Sequence, residues 1–128
     1  LLSRQHLSAQ ILDETKGYFL NMADLTGTLW ENDTPRASCS HGFASHVVRM
    51  YYRDVLGVRS IDAVNKRVTV AFSDVPLEHC KGVIPVKHDS LTLSWRKHDN
   101  KLIYSLKVPA GYEVTVDSSR LPVPAVRE

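Results

Sequence analysis

Residues 91–108 read Leu-Thr-Leu-Ser-Trp-Arg-Lys-His-Asp-Asn-Lys-Leu-Ile-Tyr-Ser-Leu-Lys-Val, and this stretch decides the fold. Leu91, Leu93 and Trp95 alternate with Thr92 and Ser94, and Leu102, Tyr104, Leu106 and Val108 alternate with Ile103, Ser105 and Lys107. A period of two puts successive side chains on opposite faces, so each run reads as a half-buried strand. The intervening His98-Asp99-Asn100 reads as a hairpin turn. Upstream, Val68, Val70 and Phe72 alternate with Thr69 and Ala71; downstream, Pro109-Ala110-Gly111 leads into Tyr112, Val114 and Val116. Short strands at this spacing predict an antiparallel sandwich or meander. Ser118 to Glu128, with Pro122 and Pro124, has no period and is expected to be a loose, flexible tail.

Before Gly57 the pattern changes to helical. Leu7, Ile11, Tyr18, Phe19 and Met22 share a face at 3.6 residues per turn while Gln5, Ser8, Asp13, Lys16 and Asn21 point elsewhere, which predicts a helix over Arg4 to Met22, weakened slightly by Gly17. A second apolar series, Phe43, Val47, Met50, Tyr51 and Val55, predicts another helix with Ser40 as N-cap and Gly57 as its stop. The expected fold class is therefore α+β, two N-terminal helices followed by an antiparallel β-sandwich. The expected division is 1–57 helical, 58–117 sandwich and 118–128 tail.

The composition is that of an ordinary globular chain. It has 128 residues, 43% of them apolar and 23% charged, and such a length buries roughly two-thirds of its unfolded surface without metal or disulfide staples. Sixteen Lys and Arg against fourteen Asp and Glu give a net charge of +2, with no basic run longer than two residues, which argues against nucleic acid as a partner. No apolar run approaches the ~20 residues that cross a bilayer, and Leu1-Leu2-Ser3-Arg4 resembles no secretion signal. A helical pattern starting almost at once, without an initiating Met, suggests a piece of a longer protein. Cys39 and Cys80 leave a bridge and two free thiols equally open. His41, His46 and Cys39 lack a fourth partner at zinc spacing, so no metal or other cofactor is expected. His79 and Cys80, beside Lys81, read as a sheet-edge loop, while His6, His88 and His98 read as surface residues.

The chemistry is concentrated between the helices. The loop holds Thr28-Leu29-Trp30-Glu31, then Asn32, Asp33 and Arg36, then Ser38-Cys39-Ser40-His41-Gly42. Connections this long are more often functional than idle. An aromatic beside a carboxylate, followed by a His at a helix start, suits a sugar site: ring faces stack on pyranoses, and carboxylates hold hydroxyls or activate water. The plainer alternative is that Trp30 fills the space between helices and Glu31 is merely solvated.

The segments Thr28-Leu29-Trp30-Glu31, Ser40-His41-Gly42-Phe43-Ala44-Ser45, Leu56-Gly57-Val58, Arg67 to Phe72, Gly82 to Val86 and Leu91 to Trp95 resemble, in order, the C-terminal part of bacterial α-L-rhamnosidases. The resemblance covers nearly the whole chain and implies the end of an (α/α)6, or six-hairpin, catalytic barrel followed by a C-terminal β-sandwich. It further implies a glycoside hydrolase that removes terminal α-L-rhamnose with inversion from a rhamnosylated glycan or glycoside. In such chemistry one carboxylic acid protonates the leaving oxygen while a carboxylate on the opposite face deprotonates water, the two being about 6.5–9.5 Å apart. Glu31 matches the general base, His41 matches a sugar-site histidine, and Trp30 matches a pocket wall or support. The family's general acid comes from far upstream; Asp24 and Asp33 match no acid motif, and the loop from Glu31 to His41 is short for the family. The isolated chain is accordingly expected to be inactive.

Two further expectations follow. Helix faces carrying Leu7, Ile11, Phe19 and Met22 need a partner, found either on the sandwich or by self-association. The alternative function is a non-catalytic module: exposed Trp95, Tyr104 and Tyr112 on one face would suit glycan binding, whereas their burial would suit a structural brace.

Overall fold

The computed structural model describes residues 8–32, 34 and 36–128. The expected helix start at Arg4 and residues Leu7, His6, Asp33 and Pro35 lie outside the described residues. Within them the chain is α+β, helices first and strands after, as the change of period at Gly57 requires.

The first helical stretch comprises α1 (Ser8–Glu14), a π-helical segment (Thr15–Leu20) and α2 (Asn21–Thr26). The π segment has a local cause. The Thr15 hydroxyl donates back to the Ile11 carbonyl at 2.7 Å, competing with the helical amides, and Gly17 offers no side chain to resist the widening. The helix runs past Met22 to Thr26, where Gly27 stops it in the left-handed region at φ 73°. The second stretch starts with a 3-10 turn (Gly42–Ser45), continues as α3 (His46–Met50) and ends in another π segment (Tyr51–Leu56). Ser40 is therefore too early to be its N-cap. Gly57, at φ 106°, does stop it: its amide donates to Tyr52 O at 3.2 Å, a bond spanning five residues.

Seven strands follow in the described residues: β1 (Val58–Asp62), β2 (Arg67–Ala71), β3 (His79–Val86), β4 (Asp89–His98), β5 (Lys101–Lys107), β6 (Glu113–Asp117) and β7 (Ala125–Arg127). They form two sheets, ordered β1-β2-β6 and β3-β4-β5-β7. The β4–β5 hairpin turns at Asp99 and Asn100, φ 48° and 58°, and pairs Trp95 with Tyr104 and Leu93 with Leu106. His79 and Cys80 lie in β3, an edge strand rather than a loop.

The sheets are mostly, but not wholly, antiparallel. β2 and β6 run parallel, as do β5 and β7. The latter pairing corrects the expectation of a loose tail over 118–128. Residues 125–127 dock through their backbone: Leu102 N–H donates to Pro124 O at 3.0 Å and Glu128 N–H to Tyr104 O at 2.8 Å. Arg127 adds a bond to Leu106 O at 2.9 Å, and Arg96 pairs with Glu128. Backbone pairing needs no apolar alternation, which is why the sequence does not announce it.

One core joins all the layers. Ile11 and Leu12 from α1 and Val55 and Leu56 from the second stretch cluster with Val68 and Val70 of one sheet, Phe72 just after β2, and Leu91, Leu93, Trp95, Leu102, Tyr104 and Leu106 of the other sheet. Phe72 and Tyr104 meet across it with ring centroids 5.1 Å apart. Ile11 and Met22 are buried and Phe19 half-buried, so these helix residues find cover within the chain; Leu20, Leu25 and Val48 remain exposed. The second stretch sits directly on β3 at Gly82, where a Cβ would lie 2.5 Å from Leu56 Cδ2.

Candidate functional site

The loop from Gly27 to His41 is closed at its neck by backbone pairing. Glu31 N–H donates to Ser38 O at 3.0 Å, and His41 N–H donates to Leu29 O at 2.9 Å. The Thr28 hydroxyl donates to Cys39 O, tying a third point across the same neck. Thus His41 faces Leu29 across the neck, and Glu31 follows two residues further into the loop. Between them Trp30 is held by its indole N–H, which donates to the Thr26 hydroxyl at 2.7 Å at the end of α2. At the tip Asn32 Oδ1 accepts from Thr34 N–H at 3.0 Å and from its hydroxyl at 2.6 Å.

The side chains differ in exposure. Glu31 is exposed and takes part in no ion pair with another described residue. Trp30 and His41 are half-buried, with His41 Nδ1 out of contact with solvent. His46, at the start of α3, meets Phe19 edge to face with centroids 6.1 Å apart, which links the loop's exit to the first stretch. The arrangement presents an exposed carboxylate next in sequence to a half-buried, hydrogen-bonded indole. Cys39 and Cys80 are both free thiols; burial pushes the Cys80 thiol up from its ordinary pKa. Among the described residues no three His, Cys, Asp or Glu side chains could jointly hold a metal ion, and no helix is long and apolar enough to cross a membrane.

A second polar assembly escapes the sequence reading. Asp54 is only 2% exposed, in the π segment against β1. Arg53 grips it through Nε at 3.0 and 3.1 Å and Nη2 at 2.7 Å, and Arg59 of β1 reaches it through Nη1 at 2.5 Å. Arg59 Nη2 donates onward to the Ser73 hydroxyl at 3.0 Å. Burial is the main influence on Arg59, lowering its pKa, with Asp54 opposing the shift. The available signal was the four-residue spacing of Arg49 and Arg53, which places two cations on one helix face; Arg59 joins them only through the fold.

The sandwich aromatics are resolved as well. Trp95 is 3% and Tyr104 8% exposed, and Tyr112 is half-buried against the core. Comparison with known protein families, with characterised proteins and with solved structures finds no match for this chain.

Proposed function

We propose that this chain is the C-terminal portion of an inverting glycoside hydrolase acting on terminal α-L-rhamnose, with Glu31 as general base. The observation that carries the reading is the closed neck, which fixes Glu31 and Trp30 on a stem cross-braced to His41 while leaving the Glu31 carboxylate open to water. In the proposed chemistry Glu31 takes a proton from the attacking water as that oxygen bonds to the anomeric carbon. Trp30 walls the sugar and His41 hydrogen-bonds a hydroxyl. The proton donor to the leaving oxygen, and a cation to keep Glu31 ionised, come from chain outside these 128 residues.

The experiment is Glu31→Gln in the full-length parent enzyme. Loss of general-base catalysis should lower kcat by about 10²- to 10⁴-fold with KM little changed. An unchanged kcat rejects the assignment.

Burial of Trp95 and Tyr104 favours a second role for the strand region as a brace for the helices rather than a glycan-binding face. Titrating the chain with rhamnose should then give no saturable chemical-shift changes in the strands; saturable changes confined to them would restore the binding-module alternative.

A further inference from the structure

A cleft of about 300 Å³ lies between the second helical stretch and the edge strands β1 and β3 of the two sheets. Arg49, Tyr52, Arg53, Arg59, Ile61 and Ile84 line it. It continues into a wider, shallower depression that shares Arg49, Tyr52 and Ile84. Three guanidinium groups border the cleft and no carboxylate does. The nearest counter-charge is Asp54, buried beneath and paired with both Arg53 and Arg59, and Asp117 and Arg120 also bear on Arg59.

Two of these cations, Arg53 and Arg59, are already positioned. Arg53 commits Nε and Nη2 to Asp54, leaving Nη1 outside that pair. Arg59 is fixed between Asp54 and Ser73 and contributes its field rather than those donors. Arg49 is exposed and forms no ion pair with another described residue. Tyr52 is held by its hydroxyl, which donates to Val83 O at 3.2 Å, so its ring is a fixed wall beside Ile61 and Ile84. Planar guanidinium groups match carboxylate and phosphate oxygens, and little ordering cost remains where the groups are held in advance.

We propose that this cleft binds a small ligand made of one oxyanion, a carboxylate or a phosphate, joined to a ring or short apolar body. The oxyanion sits between Arg49 and Arg53, and the body lies against Tyr52, Ile61 and Ile84. The cations form a compact cluster rather than a stripe, so a single headgroup fits and a polyanion backbone does not. The site is independent of Glu31.

Amide chemical shifts of the 128-residue protein, titrated separately with phenyl phosphate, benzoate and neutral benzyl alcohol, test the proposal. Saturable changes confined to residues 49–53, 59–61 and 84 are expected with at least one anion, and the tighter of the two identifies the headgroup. Arg49→Gln, at an exposed position, should weaken binding by about tenfold, the worth of one charge-assisted hydrogen bond, and Glu31→Gln should not alter it. Absence of saturable changes with both anions, equal binding of benzyl alcohol, or unaltered affinity in both Arg49→Gln and Arg53→Gln would overturn it.

Discussion

The indole N–H of Trp95 donates to the carbonyl of Leu56 at 3.1 Å, so a core side chain of β4 caps the last turn of the second helical stretch. That carbonyl is one of the orphan acceptors at a helix end, and here it is buried. The same few residues also hold the left-handed Gly57 and the contact of Leu56 with Gly82. The helix that carries the arginine cleft is thus seated on the sheet by this bond, by the bond of the Tyr52 hydroxyl to Val83 O and by the close approach at Gly82.

Replacing Trp95 with Phe keeps an aromatic ring and removes the donor. The buried Leu56 carbonyl then lacks its partner, and stability should fall by about 1–3 kcal/mol. The check is urea unfolding, where the midpoint should drop at constant slope. An unchanged midpoint would show that the bond contributes nothing net.

At Gly82 the helix approaches too closely for a side chain. Gly82→Ala should cost about 1–3 kcal/mol by overpacking against Leu56 Cδ2. Leu56→Ala alone should cost about 2–5 kcal/mol through the cavity it leaves. The double substitution should cost less than the sum of the two, because the new methyl enters the vacated space. Strict additivity in a double-mutant cycle would contradict the contact.

Asp54→Asn leaves Arg53 and Arg59 with no carboxylate beneath them. Breaking a buried pair on one side typically costs about 3–5 kcal/mol, and denaturant unfolding should show a loss of that order. Asp74→Asn, which disturbs only the more exposed pair with Lys97, should change stability by less than about 1 kcal/mol.

Acid should loosen the turn regions and the last strand. Hydrogen bonding from Arg96 holds Glu128 below its ordinary pKa of 4.5, while the Asn65 amide holds Asp62, and the Ser119 hydroxyl holds Asp117, below 3.8. Each group is depressed in the folded state. Its contribution is therefore complete above the ordinary value and disappears as pH falls through the folded one. Thermal melts should be flat with respect to these groups above about pH 5 and decline below about pH 4. Arg96→Ala should remove the part due to Glu128, and an acid response identical to the wild type would contradict this.

On the proposed reading, in which the proton donor lies outside these residues, the 128-residue chain should release no detectable aglycone from a chromogenic α-L-rhamnoside. Turnover abolished by Glu31→Gln would refute that expectation.

The fold was legible where burial alternates. β2, β4 and β5 follow runs such as Leu91-Thr92-Leu93, whose inward residues are buried, and β6 follows an alternating run in which Val114 is half-buried and Val116 exposed. β3 was visible only as part of a family resemblance: Gly82 and Cys80 replace bulky inward residues, and Val83 is exposed on the other face. β7 was hidden because its pairing rests on backbone, with only Ala125 of its three residues packed against the core and the Arg96–Glu128 pair just beyond it. In the candidate site, Trp30, Glu31 and His41 were identifiable by residue type. Their cross-bracing was not, because Glu31–Ser38 and His41–Leu29 are main-chain bonds to which side chains are irrelevant. The arginine cleft was only partly legible: the spacing of Arg49 and Arg53 was visible, but Arg59 comes from a strand and the sequence shows no run of charge.

The chain visits its two sheets in interleaved order. β1 and β2 begin the first sheet, β3 to β5 build the second, β6 returns to the first beside β2, and β7 goes back to the second. Neither half can be finished while the other is missing, so the protein should melt as one cooperative unit rather than layer by layer. Its folding rate should be set by the late, long-range arrival of β6 at β2, in the slow regime of non-local pairing, and amides of Val68 and Leu93 should exchange with solvent through the same global opening.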